Sequence, residues 1–163
     1  HTVAQILLTG LDLEDPTRYH NIKNTMNRLL ELNVLPVINE NDTVSTHEIA
    51  VGDNDTLGAI VAVSMKADLL VLLSDIDGLY SSDPRSNPDA ELISKVENIT
   101  KVESSAGDTS TSVGTGGMVT KLHAADYATK RGVEVYVING SSPENLYEIF
   151  DGNNIGTVFR TQK

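Results

Sequence analysis

Short apolar runs alternate with stretches of helical periodicity along this chain, and this alternation limits the possible folds more than any other feature. The strand-like runs cover residues 3–9, 34–38, 69–73, 133–138 and 156–159. Strands that alternate with helices predict a mostly parallel sheet that is covered by helices on both faces. We therefore expect one α/β domain over residues 1–163, built as a three-layer αβα sandwich, with the first strand buried.

Cap residues and apolar spacing predict where the helices lie. Asp15 and Pro16 form a cap-and-proline start, after which apolar residues recur at helical spacing to about Leu32. Asn33 is the expected stop. Further helices are predicted at 53–66, 97–105, 118–131 and 143–150, and a short excursion or hairpin at 43–51.

Charge and composition exclude several classes of protein. The formal net charge of −11 argues against non-specific nucleic-acid binding, which needs Lys and Arg to displace counterions. The absence of cysteine excludes disulfides and thiolate metal sites. The longest apolar run is far shorter than the ~20 residues of a membrane span. These properties suit a soluble cytoplasmic enzyme.

Two dense polar clusters follow predicted strands or open predicted helices. The first is Asn39-Glu40-Asn41-Asp42, and the second is Asp53-Asn54-Asp55. Asn both donates and accepts hydrogen bonds whereas ionised Asp only accepts, so the set can hold the ammonium and carboxylate groups of an amino acid. The plainer interpretation is that these residues form turns and a helix cap.

A glycine-rich segment opens the predicted helix at 118–131. It reads Gly-Thr-Gly-Gly-Met-Val-Thr-Lys over residues 114–121. Glycines let the backbone approach a phosphate closely, a helix N-terminus favours negative charge, and a nearby lysine can reach a phosphoryl oxygen. The spacing is not that of a Walker A loop, and a flexible loop remains the alternative.

A third polar segment follows the most apolar strand. Ser74 and Asp75 come directly after residues 69–73, and Asp77-Gly-Leu-Tyr and Asp83-Pro84 lie just beyond. Nucleotides bind at the carboxyl ends of such strands, and acids there can also coordinate Mg²⁺. A long surface loop is the alternative. A zwitterion pocket that faces a phosphate site describes a small-molecule phosphotransferase.

The chain resembles the amino-acid kinase family, and within it the enzymes that phosphorylate the side-chain carboxylate of L-glutamate. The resemblance covers essentially all of the chain. It is carried by Val-Ile-Asn-Glu-Asn-Asp at 37–42, Val-Gly-Asp-Asn-Asp at 51–55, Asp-Gly-Leu-Tyr-Ser-Ser-Asp-Pro-Arg-Ser-Asn-Pro at 77–88 and Gly-Thr-Gly-Gly-Met-Val-Thr-Lys at 114–121.

The resemblance implies a role for each of these motifs. Asn39, Asp42 and Asn54 would bind glutamate, and Asp55 and Lys121 would be catalytic. Lys121 would offset charge on the transferring phosphoryl group, while Asp55 would hold the catalytic groups in place. The expected ATP-binding residues are Ser74, Asp75, Thr115, Gly116, Gly117, Met118, Val119, Thr120 and Lys121.

The resemblance also implies cofactors and partners. Mg²⁺ would arrive with ATP, proline would be a feedback inhibitor, and the protein would form a homo-oligomer without nucleic-acid or membrane partners. The family's lysine-bearing glycine loop and its carboxyl-terminal PUA domain do not occur in these residues, so we expect a partial domain: a nucleotide half with part of the glutamate site. Another carboxylate or carbamate acceptor, or a non-catalytic ligand-binding or assembly role, remains open.

Overall fold

The computed structural model of the chain describes residues 1–45, 53–99, 102 and 116–161. In chain order the elements are β1 (Val3–Leu8), α1 (Gly10–Glu14), α2 (Pro16–Glu31), β2 (Leu35–Glu40), α3 (Asn54–Ser64), β3 (Leu69–Ser74), β4 (Lys95–Val96), α4 (Gly116–Thr129), β5 (Glu134–Asn139), α5 (Asn145–Phe150) and β6 (Thr157–Phe159). The five predicted strands are confirmed, as are the four longer helices, with ends displaced by a few residues. The excursion at 43–51 and the helix at 97–105 fall largely outside the described residues.

Side-chain caps set the starts of the first two helices. Asp15 caps α2 by accepting a hydrogen bond from the backbone N–H of Arg18 at 2.8 Å, and Pro16 follows at the first helical position. Asn33 follows the end of α2 and has a φ of 55°, which stops the helix where the sequence predicts. α1 was not predicted; it begins at a capping box in which Thr9 and Asp12 bond each other's backbone N–H groups.

The strands form two hydrogen-bonded sheets within the described part of the chain. β1 pairs with β2 in parallel, and the other sheet has the order β3-β5-β6-β4. β3 is parallel to β5, and β4 is parallel to β6, whereas β5 and β6 are antiparallel. The α/β class and the mainly parallel pairing of strands are confirmed. The described strands form two separate sheets instead of one.

The core lies where α3 and α4 pack against each other and against the larger sheet. Leu122, Ala125 and Ala128 lie on one side of α4 and are at most 1% exposed, as their spacing predicts. Small side chains on this helix face allow a close approach to β5. The other fully buried residues of this core include Val135, Val137 and Phe159.

The expectation that the first strand is buried is wrong for most of its residues. Leu8 is buried, but Val3 and Leu7 are 58% and 43% exposed. Their neighbours in β2 on the same face, Leu35 and Val37, are 57% and 51% exposed. Apolar composition alone does not tell which face of a sheet is covered, and these four side chains lie on a face that is largely exposed. Nor is any described helix long and apolar enough to cross a membrane.

Gly156 makes the turn that leads into β6. Its φ is +64°, and a Cβ atom there would collide with the backbone oxygen of Val137 and lie 2.7 Å from the Ile138 side chain. Gly152 also has a positive φ, +81°, but a Cβ atom there would meet nothing within 4 Å. Substitution at Gly152 would therefore cause backbone strain alone, whereas substitution at Gly156 would cause both strain and a steric collision.

We expect Gly156→Ala to lower the free energy of unfolding much more than Gly152→Ala. Alanine at a positive φ costs about 1 kcal/mol at either position. The collision adds about 2 kcal/mol at position 156 alone, because backbone and a packed side chain must move. Urea denaturation of both variants measures the difference, and equal losses would contradict the close packing of this turn.

Candidate functional site

Asp53 is the cap of α3 and so fixes the residues that follow it. Its Oδ1 accepts the backbone N–H of Thr56 at 2.8 Å, and its Oδ2 accepts the Thr56 hydroxyl at 2.9 Å. Both carboxylate oxygens thus serve the helix start. Asn54 and Asp55 then occupy the first helical turn, where the sequence motif places them.

Asp55 and Lys121 form an ion pair between the starts of α3 and α4. Lys121 Nζ lies 3.1 Å from Asp55 Oδ2, and the two side chains are only 13% and 19% exposed. The same Oδ2 accepts the Thr120 hydroxyl at 2.8 Å. Charges that are shielded from water interact more strongly than exposed ones, so this pair holds the lysine in a defined position.

A cavity of about 200 Å³ lies between the carboxyl end of β3, the loop that follows it and the start of α4. Lys121 lines this cavity together with Gly117 and Met118 from α4. On the other side it is lined by Ser74, Asp75, Ile76, Leu79, Tyr80, Ser82, Asp83, Pro84 and Arg85. Two segments that are separated by 31 residues of the chain, 74–85 and 117–121, therefore form one site at a strand end, as parallel sheets favour.

The predicted nucleotide residues divide into three groups. Ser74, Asp75, Gly117, Met118 and Lys121 line the cavity. Thr120 instead bonds Asp55, and Gly116 and Val119 belong to the first turns of α4. Thr115 lies outside the described residues.

Asp75 is paired with an arginine from its own loop. Arg85 Nη2 lies 2.7 Å from Asp75 Oδ2, with both side chains largely exposed. A hydrogen bond from its own backbone, followed by the Arg85 guanidinium, lowers the pKa of the Asp75 carboxyl below its ordinary value. Asp75 is thus an anion at neutral pH, and Arg85 places a second cation at the cavity wall.

Tyr80 is held against the cavity by a hydrogen bond to Asp77. The Tyr80 hydroxyl donates to Asp77 Oδ2 at 3.0 Å, and Asn139 at the end of β5 donates to Asp77 Oδ1 at 2.9 Å. Burial, and then the bond and charge of Asp77, raise the pKa of Tyr80 above its ordinary value. The phenol stays neutral and fixed, with its ring in the cavity wall.

Leu79, Tyr80 and Arg85 are not among the expected ATP-binding residues, although all three belong to the motif after β3 that the sequence analysis quotes. The signal was present, since all three lie in the irregular segment after the most apolar strand. The segment alone does not say which of its side chains turn inward. That depends on the pairing of Tyr80 with Leu92 and of Arg85 with Asp75.

The predicted substrate residues Asn39, Asp42 and Asn54 are not among the residues that line this cavity. Asn39 is at the carboxyl end of β2, and Asp42 is in the turn that follows; both are exposed. Asn54, at the start of α3, and Ile38, near the end of β2, both line a second, small cavity of about 160 Å³. Residues 46–52, between these two places, are not described, so the joint pocket stays a prediction.

We expect Asp53→Ala to destabilise the protein by about 1 kcal/mol, because α3 loses its cap. Asp53→Asn is the matched control, since an asparagine oxygen can accept the same backbone N–H bond. Chemical denaturation of both variants gives the two free energies of unfolding. An alanine variant as stable as the wild type, or an asparagine variant as weak as alanine, would contradict the capping role.

Residues 1–139 match the family described as the Amino acid kinase family. A Clostridium tetani protein named glutamate 5-kinase is 53% identical over 163 residues, which cover 99% of this chain and 61% of that protein. A Geobacter metallireducens protein of the same name is 54% identical over 160 residues, covering 98% of this chain and 43% of that protein. The chain thus spans about half the length of the curated relatives that it matches.

Solved structures share the fold over most of this chain. An isopentenyl phosphate kinase from T. acidophilum is 27% identical with a TM-score of 0.61, over 84% of this chain and 52% of that one. A uridylate kinase from Archaeoglobus fulgidus is 27% identical with a TM-score of 0.62, over 84% of this chain and 57% of that one.

Proposed function

The chain belongs to the amino acid kinase family, and on that premise we propose that the full-length protein uses ATP to phosphorylate the side-chain carboxylate of L-glutamate. The product is glutamate 5-phosphate, and the reaction is the first step of proline biosynthesis. The observation that carries the proposal is Lys121, held by Asp55 at the wall of the cavity. The name of the relatives at 53% and 54% identity supports glutamate as the acceptor.

The reaction needs little covalent help from the protein. A carboxylate oxygen of glutamate attacks the γ-phosphorus of ATP, the bond from that phosphorus to the bridging oxygen breaks, and ADP leaves. Catalysis then consists of positioning the two substrates and offsetting charge on the transferring group. Mg²⁺ enters with ATP as part of the substrate, held mainly by phosphate oxygens.

Lys121 offsets charge on the transferring phosphoryl group. Its Nζ also lies 3.5 Å from the backbone oxygen of Gly117, within the first turn of α4. The N-terminus of α4 adds backbone N–H groups and a favourable dipole for phosphate oxygens. Asp55 keeps the ammonium group in place before ATP binds, so less reorganisation is needed during reaction.

The glutamate side of the site is assigned to Asn39, Asp42 and Asn54. An Asp carboxylate can accept hydrogen bonds from the substrate ammonium group, and Asn amides can bond its α-carboxylate. Proline as a feedback inhibitor, a homo-oligomeric state and a cytoplasmic location belong to the same proposal. The net charge of −11 supports the expectation that nucleic acid is not a partner.

An acceptor of another kind is the second candidate. The names of the two solved kinases refer to acceptors that already carry a phosphate. Asp42 would repel a phosphate group, which favours the ammonium group of an amino acid instead. A panel of glutamate, aspartate, carbamate and phosphate monoesters, tested on the full-length protein, distinguishes the candidates, and turnover without glutamate dependence would exclude the proposal.

We expect Lys121→Ala and Asp42→Ala to affect different kinetic constants. Lys121→Ala should lower kcat by about 10²-fold or more with little change in the glutamate KM, because its charge acts on the transition state. Asp42→Ala should raise the glutamate KM by about tenfold, because a charged hydrogen bond is lost. Steady-state kinetics with each substrate varied measures both effects.

Lys130→Ala is the matched control for these variants. Lys130 follows α4, is exposed and pairs with Asp126 at 2.6 Å, away from the cavity. It should leave both constants unchanged. If the changes at Lys121 and Asp42 altered ATP affinity alone, the roles assigned to these residues would be wrong.

We expect the 163-residue chain by itself to have little kinase activity. It spans 61% or less of the length of the two relatives, so the groups that position the substrates are incomplete if they lie in the remaining part. Misplacement of the reacting groups costs about 10²-fold in rate. Glutamate-dependent ADP release should be compared for this chain and the full-length protein at equal concentration. Normal turnover by the chain alone would refute this expectation.

A further inference from the structure

Thr157 is a buried threonine whose hydroxyl group contacts the cavity wall from behind. It is 0% exposed at the start of β6. Its Oγ1 accepts a hydrogen bond from the backbone N–H of Leu79 at 2.7 Å and donates one to the backbone oxygen of Ile93 at 2.7 Å. One hydroxyl group thus both donates to and accepts from the same loop.

Leu79 and Ile93 are the positions at which this loop closes on itself. The backbone N–H of Ile93 donates to the oxygen of Leu79 at 2.8 Å, and a β-bridge pairs Tyr80 with Leu92. Leu79 and Tyr80 both line the cavity. The Thr157 hydroxyl therefore ties the base of the loop to the sheet directly behind residues that face the proposed nucleotide.

The packing around this hydroxyl leaves little room for adjustment. A Cβ atom on Gly78 would lie 2.5 Å from Thr157 Oγ1 and 3.1 Å from Leu92 Cδ1. The backbone of Thr157 pairs separately with Val137 in the β5–β6 ladder. The strand therefore has its own support, and the effect of the hydroxyl on the loop can be separated from its effect on the sheet.

We propose that Thr157 is a positioning residue for nucleotide binding, which acts by fixing the loop that carries Leu79 and Tyr80. The inference rests on the proposed function, because it takes ATP as the occupant of this cavity. Thr157 lies beyond residues 1–139, the part of the chain that matches the family. Its role follows from its two contacts with the loop.

Valine at position 157 has the shape of threonine without its hydroxyl group. Thr157→Val removes the acceptor of the Leu79 N–H group and the donor to the Ile93 backbone oxygen. Both groups are buried, so the loop moves to regain the lost hydrogen bonds. Thr157→Ser keeps the hydroxyl and loses a methyl group. Thr129→Val is the matched control, because Thr129 is also 0% exposed and donates to the oxygen of Ala125 at 2.8 Å, inside α4.

The experiment uses the full-length protein and its three variants. Calorimetry with a non-hydrolysable ATP analogue gives the Kd, steady-state kinetics gives the KM for ATP and for glutamate, and thermal unfolding gives the Tm. We expect Thr157→Val to raise the Kd and KM for ATP by about tenfold, with kcat and the glutamate KM within about twofold. Thr157→Ser should restore ATP affinity to within about threefold of the wild type.

Thr129→Val should lower the Tm while leaving the Kd for the ATP analogue unchanged. An unchanged Kd in Thr157→Val, or an equal loss of affinity in Thr129→Val, overturns the proposal. Should Thr157→Val not fold, hydrogen exchange in the wild type decides. The ATP analogue must then slow exchange of the Leu79 amide, and no change there overturns the proposal.

The same data separate this inference from the proposed function. If the wild type binds the ATP analogue but shows no glutamate-dependent turnover, the acceptor assignment fails while the Kd values still test Thr157. If the wild type does not bind the analogue at all, both proposals fail.

Discussion

The ion pair between Asp55 and Lys121 joins the two halves of the candidate site. It connects the first turn of α3 to the start of α4 at 3.1 Å. Asp55 is favourable at a helix N-terminus, whereas a lysine near one is not. The carboxylate therefore offsets both a helix dipole and a lysine charge. An anionic ligand at the N-terminus of α4 would likewise offset the charge of Lys121 and the dipole of α4. The ion pair is therefore compatible with a ligand that carries phosphate.

Local charge matters here because the chain as a whole is acidic. With a net charge of −11, the protein repels a nucleotide at long range. Lys121 and Arg85 both line the cavity, and Asp75 and Asp83 line it too, so the charges of its lining balance in number although the chain as a whole is acidic. Asp75 and Asp55 hold these two cations in position. The cavity therefore lacks the negative excess of the whole chain, and its two cations are held in fixed positions.

Sequence patterns predicted the elements better than their surroundings. The starts of α2 and α3 were predictable because Asp15 and Asp53 cap them through contacts three residues away. The exposure of Val3 in β1 was not, because burial depends on what covers a sheet face. The sequence places Asp53 and Asp55 in one polar cluster, and only the structure distinguishes their roles. Asp53 caps α3, whereas Asp55 forms the ion pair with Lys121.

The order of the larger sheet has a consequence for the loop that walls the cavity. β3 and β4 lie at opposite edges of that sheet, with β5 and β6 between them. The chain from residue 74 to residue 95 must therefore cross three interstrand spacings, about 14 Å. Both of its ends are paired and cannot shift along the sheet. We therefore expect insertions to be accommodated in the turn at 83–90, which is farthest from both ends, where they would change the rim of the cavity and leave its floor intact.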